Sequence, residues 1–96
     1  MEINYATARK LAWDFINSSY TGTDEELLIS DECTIEKEYG WYFFYNTKSF
    51  LDSGEDRYRL TGNGPLLVTK QHGKVIQFGT AHPVEHYIRL YELGAN

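Results

Sequence analysis

Three histidines and one cysteine are the side chains of this sequence best suited to act as metal ligands, general bases or nucleophiles. His82 and His86 are four residues apart, as in a helical zinc pair, but Pro83 between them places His82 before the start of the helix. Cys33 falls on the apolar side of an alternating pattern, where a free cysteine usually packs as a small hydrophobic residue. These residues therefore favour neither a metal site nor a catalytic thiol, and the sequence predicts no cofactor.

The segment Gly62-Asn63-Gly64-Pro65 is the next candidate for chemistry, since glycine-rich loops can hold a phosphate group. The spacing of a P-loop or of a dinucleotide-binding motif is absent, and no lysine follows. Glycine and asparagine accept a positive φ and proline fixes φ, so the segment predicts a sharp turn. The carboxylates also stand in no catalytic arrangement, and the sequence therefore favours a binding protein over an enzyme.

Acidic residues are concentrated in one part of the chain. The formal net charge is −5, and residues 24–38 alone sum to −6, with Lys37 as their single base. The acids of this segment are Asp24, Glu25, Glu26, Asp31, Glu32, Glu36 and Glu38. Such a field repels nucleic acid and anionic lipid, and it speeds the encounter with a basic protein. The sequence therefore predicts a protein partner with a basic contact surface and argues against nucleic acid and membrane; solubility alone is the other explanation of the charge.

Aromatic residues make up 16% of the chain, more than a core of this size needs. Tryptophan and tyrosine often anchor protein interfaces. Trp13 lies off the apolar stripe of its helix, and Tyr42 lies in a run of aromatic residues. We therefore expect both to contact the partner, together with the exposed carboxylates. The predicted contact residues are Trp13, Glu25, Glu26, Glu32, Glu36, Glu38 and Tyr42.

The elements that position these residues follow from the periodicity of the first half of the chain. Asn4 is a good N-cap for an amphipathic helix that ends near residues 18–20. Residues 27–35 alternate with period two and predict one half-buried strand, with Cys33 on its apolar face and carboxylates on its wet face. The aromatic run 41–45 predicts a central strand, after a tight connection at residues 39–40.

The second half of the chain predicts strands followed by a helix. Residues 46–60 read as a polar loop with one helical turn, and a strand begins at Leu66. His72-Gly73 predicts a hairpin between strands at residues 66–70 and 74–76. Pro83 opens a C-terminal helix that Gly94 closes. The predicted fold is α+β, an antiparallel sheet of about four strands with an N-terminal and a C-terminal helix packed on it.

Length and composition predict one domain over residues 1–96. No apolar run of about 18 residues is present to span a membrane. Glu2 does not fit the start of a signal peptide, and a single cysteine agrees with a reducing compartment. We therefore expect a cytoplasmic protein that is a monomer or a homodimer.

Three motifs, in this order and spacing, resemble those of the immunity protein 35 family. They run from Gly40 to Asn46, from Leu60 to Pro65 and from Gly79 to Glu92, and the resemblance covers residues 36–92. The motif residues are Trp41, Phe44, Gly62, Asn63, Pro65, Gly79 and Thr80. The resemblance implies an α+β fold in which these residues have structural roles, since the glycines, Asn63 and Pro65 shape turns and Trp41 packs.

Members of this family are encoded beside polymorphic toxins, so the resemblance implies a bacterial cytosolic protein that binds and neutralises a cognate toxin. Such a function needs a preformed surface and no catalytic group. The alternative is a small chaperone-like stress protein that holds apolar client segments with the same aromatic rings. A single tight partner would distinguish the first function from the second.

Overall fold

Three α-helices and two antiparallel sheets form the part of the chain that the computed structural model describes, residues 2–19, 26–59 and 64–94. In chain order they are α1 (Tyr5–Ser19), β1 (Leu27–Ile29), β2 (Ile35–Lys37), β3 (Gly40–Phe43), β4 (Tyr45–Thr47), α2 (Lys48–Ser53), β5 (Leu66–Thr69), β6 (Val75–Gln77) and α3 (Val84–Glu92). Short 3-10 helices span Asp31–Cys33, called here the 31–33 turn, and Asp56–Tyr58.

The predicted α+β class is confirmed. Four strands pair antiparallel in the order β2-β3-β5-β6, and β1 and β4 form a separate antiparallel pair. The first and last helices are α1 and α3, as predicted. None of the described helices is both long enough and apolar enough to cross a membrane.

One face of the four-stranded sheet packs against α1. Asn4 begins this helix, because its side-chain oxygen accepts a hydrogen bond of 2.9 Å from the backbone N–H of Thr7. Every fourth residue then faces the sheet, where the two alanines allow close approach. The buried core on this face consists of Ala8, Ala12, Ile16, Leu27, Ile29, Trp41, Phe43, Tyr45, Leu66 and Val68.

The opposite face of the sheet carries a second apolar row beneath α3. Ile35, Tyr42, Leu67 and Ile76 lie opposite one another across the four strands, and Tyr42 and Leu67 are fully buried. Two ring contacts attach α3 to this side: Tyr87 packs on Phe78 and Tyr91 packs on Tyr39, with centroids 5.6 and 5.0 Å apart. No residue of α3 is itself buried.

The predicted continuous strand over residues 27–35 is wrong. Both β1 and β2 run along the β3–β4 segment, but Ile29 lies opposite Tyr45 whereas Ile35 lies opposite Tyr42. From Ile29 to Ile35 the chain advances six residues, whereas the paired segment between Tyr42 and Tyr45 advances only three. The 31–33 turn takes up the three extra residues. Because side chains alternate along a strand, an odd insertion points Ile35 to the opposite face from Ile29. Cys33, predicted in the apolar row, is exposed in this turn.

Two tight turns agree with the prediction. Lys37 pairs with Gly40, so only two residues connect β2 to β3. The β5–β6 hairpin turns through residues 70–73, since the Thr69 N–H donates to the Lys74 carbonyl at 2.9 Å. His72 and Gly73 have φ of 67° and 61°, so Gly73 takes the left-handed position predicted for it.

Gly64 illustrates why the glycine-rich segment needs its small residues. A Cβ at Gly64 would overlap the carbonyl oxygen of Phe78, so only glycine fits between the start of β5 and the end of β6. Beside it, the Pro65 carbonyl accepts a hydrogen bond of 2.9 Å from the Phe78 N–H. Gly62 and Asn63 of the same predicted turn lie outside the described residues.

Candidate partner-binding surface

Trp13 lies at the edge of the α1 core rather than fully in solvent. Its ring is half-buried and packs against the core. Spacing of four residues puts Tyr5, Arg9 and Trp13 on one stripe of α1. Around the indole is an open groove of about 630 Å³, lined by Ala6, Arg9, Lys10, Trp13 and Asp14. The predicted anchor is therefore held firmly by the core and still reaches an accessible groove.

Arg9, one helical turn before Trp13 on this stripe, binds the carboxylate of Asp31 and so holds Asp31 in place. Its Nε and Nη2 donate to the two carboxylate oxygens of Asp31 at 2.7 and 2.9 Å, and the Tyr5 hydroxyl donates to the same carboxylate at 3.1 Å. The hydrogen bonds from Arg9 hold the pKa of Asp31 below its usual value, and those from Tyr5 act in the same direction. This arrangement fixes the 31–33 turn against α1 and neutralises one carboxylate of the acidic segment.

Four other carboxylates, Glu26, Glu32, Glu36 and Glu38, are exposed along the segment of β1, the 31–33 turn and β2 that lies beside β3 and β4. We call these four the acidic edge. Glu26 precedes β1, Glu32 lies in the 31–33 turn, Glu36 lies on β2 and Glu38 lies in the turn after it. The register of β1 and β2 thus distributes them over the whole length of the edge. Asp24 and Glu25, which were grouped with them, lie outside the described residues.

The members of the acidic edge differ in how far their charge is compensated. Glu36 lies 3.5 Å from the Lys70 ammonium, which also lies 5.2 Å above the ring of Trp41. Glu26 acts on Lys48, whose pKa is raised mainly by its hydrogen bond with Asp52 and further by the charge of Glu26. Glu32 and Glu38 form no ion pair with any residue in the described ranges.

The predicted partner contact at Tyr42 is wrong. Its side chain is 0% exposed, because β3 lies inside the sheet and Tyr42 faces the side that α3 covers. Its hydroxyl shares a hydrogen bond of 2.8 Å with that of Tyr39, which in turn donates to Glu92 at 2.9 Å. Burial raises the pKa of Tyr42, in keeping with an interior position.

The family-motif residues that are described lie mainly around the second half of the sheet. Trp41 is 5% exposed and belongs to the α1 core. Phe44 and Pro65 are half-buried, whereas Gly79 and Thr80 are exposed before α3. A Cβ at Gly79 would lie 3.2 Å from the Tyr87 hydroxyl, so this glycine leaves room for the ring that attaches α3.

A second groove, which the sequence did not predict, lies where α3 meets β2. It has a volume of about 320 Å³ and is lined by Lys37, Glu85, Ile88, Arg89, Glu92 and Leu93. Leu93 is 74% exposed. The sequence feature that could have indicated this groove is Leu93, an apolar residue at the end of α3 that lies outside the predicted apolar stripe of the helix. We call this the α3 groove.

Potential metal ligands do not come together in the described ranges, where no group of three or more His, Cys, Asp and Glu side chains could hold a metal ion. The His82 and His86 rings are in contact, with centroids 4.1 Å apart and planes tilted by 36°. His72 lies at the tip of the β5–β6 hairpin. Exposed carboxylates along the β1–β2 edge and a half-buried indole in an open groove are both features that suit protein recognition.

Comparison with known proteins gives one family and one partial relative. The family model described as Immunity protein 35 matches residues 6–89. The uncharacterized protein YrhB of Escherichia coli (strain K12) is 41% identical over 54 residues, which is 56% of this chain and 57% of YrhB. The match thus spans little more than half of that relative. No solved structure matches the chain.

Proposed function

Because the chain belongs to the immunity protein 35 family, we propose that it binds a cognate bacterial toxin domain and neutralises it by covering a surface that the toxin needs. The observation that carries this proposal is the acidic edge, where Glu32 and Glu38 remain exposed and without an ion-pair partner in the described ranges. Exposed charge of one sign along one side of a small protein attracts a partner of the opposite sign. The expected partner therefore has a basic contact surface.

The groove at Trp13 supplies the short-range part of such an interface. A half-buried indole loses little conformational freedom on binding, because the core already fixes its position. Arg9 beside it is held by Asp31, so this wall of the groove is also fixed before a partner arrives. Fixed aromatic and arginine side chains are the residues most often found at the energetic centres of interfaces.

In this function the chain needs no catalytic group and no cofactor. It acts in the cytoplasm of the bacterium that makes the toxin, as a monomer or a homodimer, and occludes the toxin before the toxin reaches its target. The toxin in question is the one encoded beside the gene for this chain.

Co-expression tests the function directly. The adjacent toxin domain is induced in bacteria with and without this chain, and survival is measured. We expect growth to be rescued only when the chain is present. Equal killing in both cases would reject the proposal, and broad suppression of aggregation of unrelated proteins would favour the chaperone-like alternative.

Charge reversal tests how the partner is attracted. The double substitution Glu32→Lys with Glu38→Lys removes the two uncompensated carboxylates, and we expect the association rate at low salt to fall by roughly tenfold. The dependence of the rate on salt should also become flatter. Glu55→Lys with Asp56→Lys is the control for net charge, since it changes the charge equally at the start of the other 3-10 helix, where Arg57 and Arg59 already compensate both carboxylates. Equal rates for the two double variants would contradict the steering role of the acidic edge.

A further inference from the structure

The outer side of β2 is an open sheet edge. The four-stranded sheet ends at β2, and no strand in the described part of the chain pairs with its outer side. An open edge presents backbone N–H and C=O groups that can pair with an added strand. Edge strands are commonly protected from one another by charge, and β2 carries Glu36 and Lys37.

The two faces beside this edge have different chemistry. Glu36 lies opposite Trp41 and points to the α1 side, where it is exposed. Lys37 points to the α3 side, where its ammonium lies 3.6 Å from Glu92 at the wall of the α3 groove. The apolar part of that groove is formed by Ile88 and Leu93.

An added strand would meet these two faces alternately. A residue placed opposite Glu36 points to the same side as Glu36, and an opposite charge there stabilises the pair. The next residue points to the α3 side, directly beside the groove with Ile88 and Leu93. Strand addition derives affinity from the backbone bonds and specificity from such alternate side-chain sites.

We infer that β2 takes up an extended segment of a partner protein in which basic and apolar residues alternate, with the basic ones beside Glu36 and the apolar ones in the α3 groove. Charge complementarity identifies the occupant: the carboxylates around this site are Glu32, Glu36, Glu38, Glu85 and Glu92, and the bases are Lys37, Lys70 and Arg89. The excess of acid favours a basic strand.

Pairing of β2 with the β2 strand of a second copy is disfavoured when it is centred on either charged residue. Antiparallel pairing of β2 with itself about Glu36 would place two glutamates directly opposite each other, and pairing about Lys37 would place two lysines opposite each other. The far edge of the sheet differs too, since β6 carries no carboxylate and is preceded by Lys74. A basic segment is therefore attracted to the β2 edge and not to the β6 edge.

This inference rests on the proposed function only for the identity of the partner as a toxin. A synthetic probe tests the site itself: the acetylated and amidated peptide of seven residues in which Lys and Val alternate, added at millimolar concentration to the intact chain. We expect saturable amide NMR shifts over Ile35–Lys37 and slowed exchange of those amides of β2 that point away from β3, with shifts also at Leu93. The same peptide with Glu in place of Lys should give none.

Two substitutions with matched controls sharpen the test. Glu36→Lys should weaken peptide binding by roughly tenfold, whereas Glu55→Lys should leave it unchanged. Leu93→Ser should weaken it by a few fold, whereas Leu51→Ser, at an exposed leucine on α2, should not. Shifts centred on the Trp13 groove or on β6, or no saturable shift, would overturn the inference. Toxin neutralisation that persisted in that case would leave the proposed function standing.

Discussion

The two helices that cover the sheet are attached to it in different ways. Along α1, Ala8, Ala12 and Ile16 are 0–1% exposed and pack directly on the sheet. Along α3 no residue is buried, and the helix is attached through ring contacts and through the hydrogen bond between Tyr39 and Glu92. The helix α1 is therefore held on the sheet by apolar packing, whereas α3 is held by a few contacts at its periphery.

This difference bears on function because each side carries one of the two grooves. The Trp13 groove belongs to the firmly packed side, so its geometry is set before a partner binds. The α3 groove belongs to the side where local opening requires the loss of fewer apolar contacts. A partner that used both grooves would meet a rigid site and an adjustable one on the same small protein.

The largest expected effect compares a matched pair of isoleucines. Ile16→Ala should lower the free energy of unfolding by about 3 kcal/mol, since it leaves a cavity in the α1 core. Ile88→Ala should lower it by about 1 kcal/mol or less, since that side chain is half-buried at the α3 groove. Urea unfolding measures both values. Equal losses would contradict the difference between the two helices.

The second prediction concerns the polar attachment of α3. Tyr39→Phe removes the hydroxyl that bonds both Tyr42 and Glu92, and leaves the buried Tyr42 hydroxyl without that partner. We expect a loss of about 1–2 kcal/mol in the free energy of unfolding. Tyr91→Phe is the control, because it keeps the ring contact with Tyr39, and it should change stability by less than about 0.5 kcal/mol.

The same attachment should depend on alkaline pH. Burial raises the pKa of Tyr39 above its ordinary value, and its hydrogen bonds with Tyr42 and Glu92 act in the same direction. The folded state therefore holds this proton more tightly than the unfolded state, whose tyrosine pKa is about 10. Stability from this group is complete below about pH 10 and is lost as the pH rises beyond it. Unfolding of Tyr39→Phe should show a shallower loss than the parent chain over that range.

The third prediction tests the ion pair on the α1 side. The pKa of Asp31 is lowered by the hydrogen bonds from Arg9, so its contribution is present above the unfolded value of about 4 and is lost as the pH falls through the folded pKa. Both side chains are more than one third exposed and screened by solvent, so Asp31→Asn should cost about 0.5–1 kcal/mol at pH 7. The difference between the variant and the parent chain should shrink as the pH falls below about 4. A difference that did not shrink would point to a role other than charge.

The smallest expected effect is at a neighbouring surface pair on the same helix. Lys10 lies 3.1 Å from Asp14 one turn later, and both side chains are mostly exposed. Lys10→Ala should change the free energy of unfolding by about 0.3 kcal/mol or less. A loss above about 1 kcal/mol, measured by the same urea series, would show that this surface pair contributes more than an exposed ion pair usually does.

Sequence patterns predicted the elements whose signals are local. The start of α1 follows from Asn4 and its apolar stripe, and the end of α3 follows from Gly94, which adopts a φ of 73°. The hairpin at His72-Gly73 was likewise visible because the turn residues themselves require the backbone geometry. Helix caps and turn residues of this kind can be predicted from a short segment of sequence, because they act on the backbone of their own neighbours.

The errors arose where a residue's position depends on distant segments. Alternation over residues 27–35 could not reveal the 31–33 turn, which depends on the register with β3 and β4 and on Arg9 from α1. Tyr42 was expected at the surface, but its burial depends on α3, more than forty residues later. Of the predicted contact residues, those with a described position other than Tyr42 are accessible at least in part.

The 31–33 turn also determines how the chain tolerates changes in length. Its three residues are exposed and add nothing to the buried core, so this part of the edge is free to differ in size and sequence while the sheet stays intact. The limits lie at its two ends, where Arg9 holds Asp31 against α1 and Ile35 begins β2 in register with Tyr42. Differences in length are therefore expected between these two fixed points.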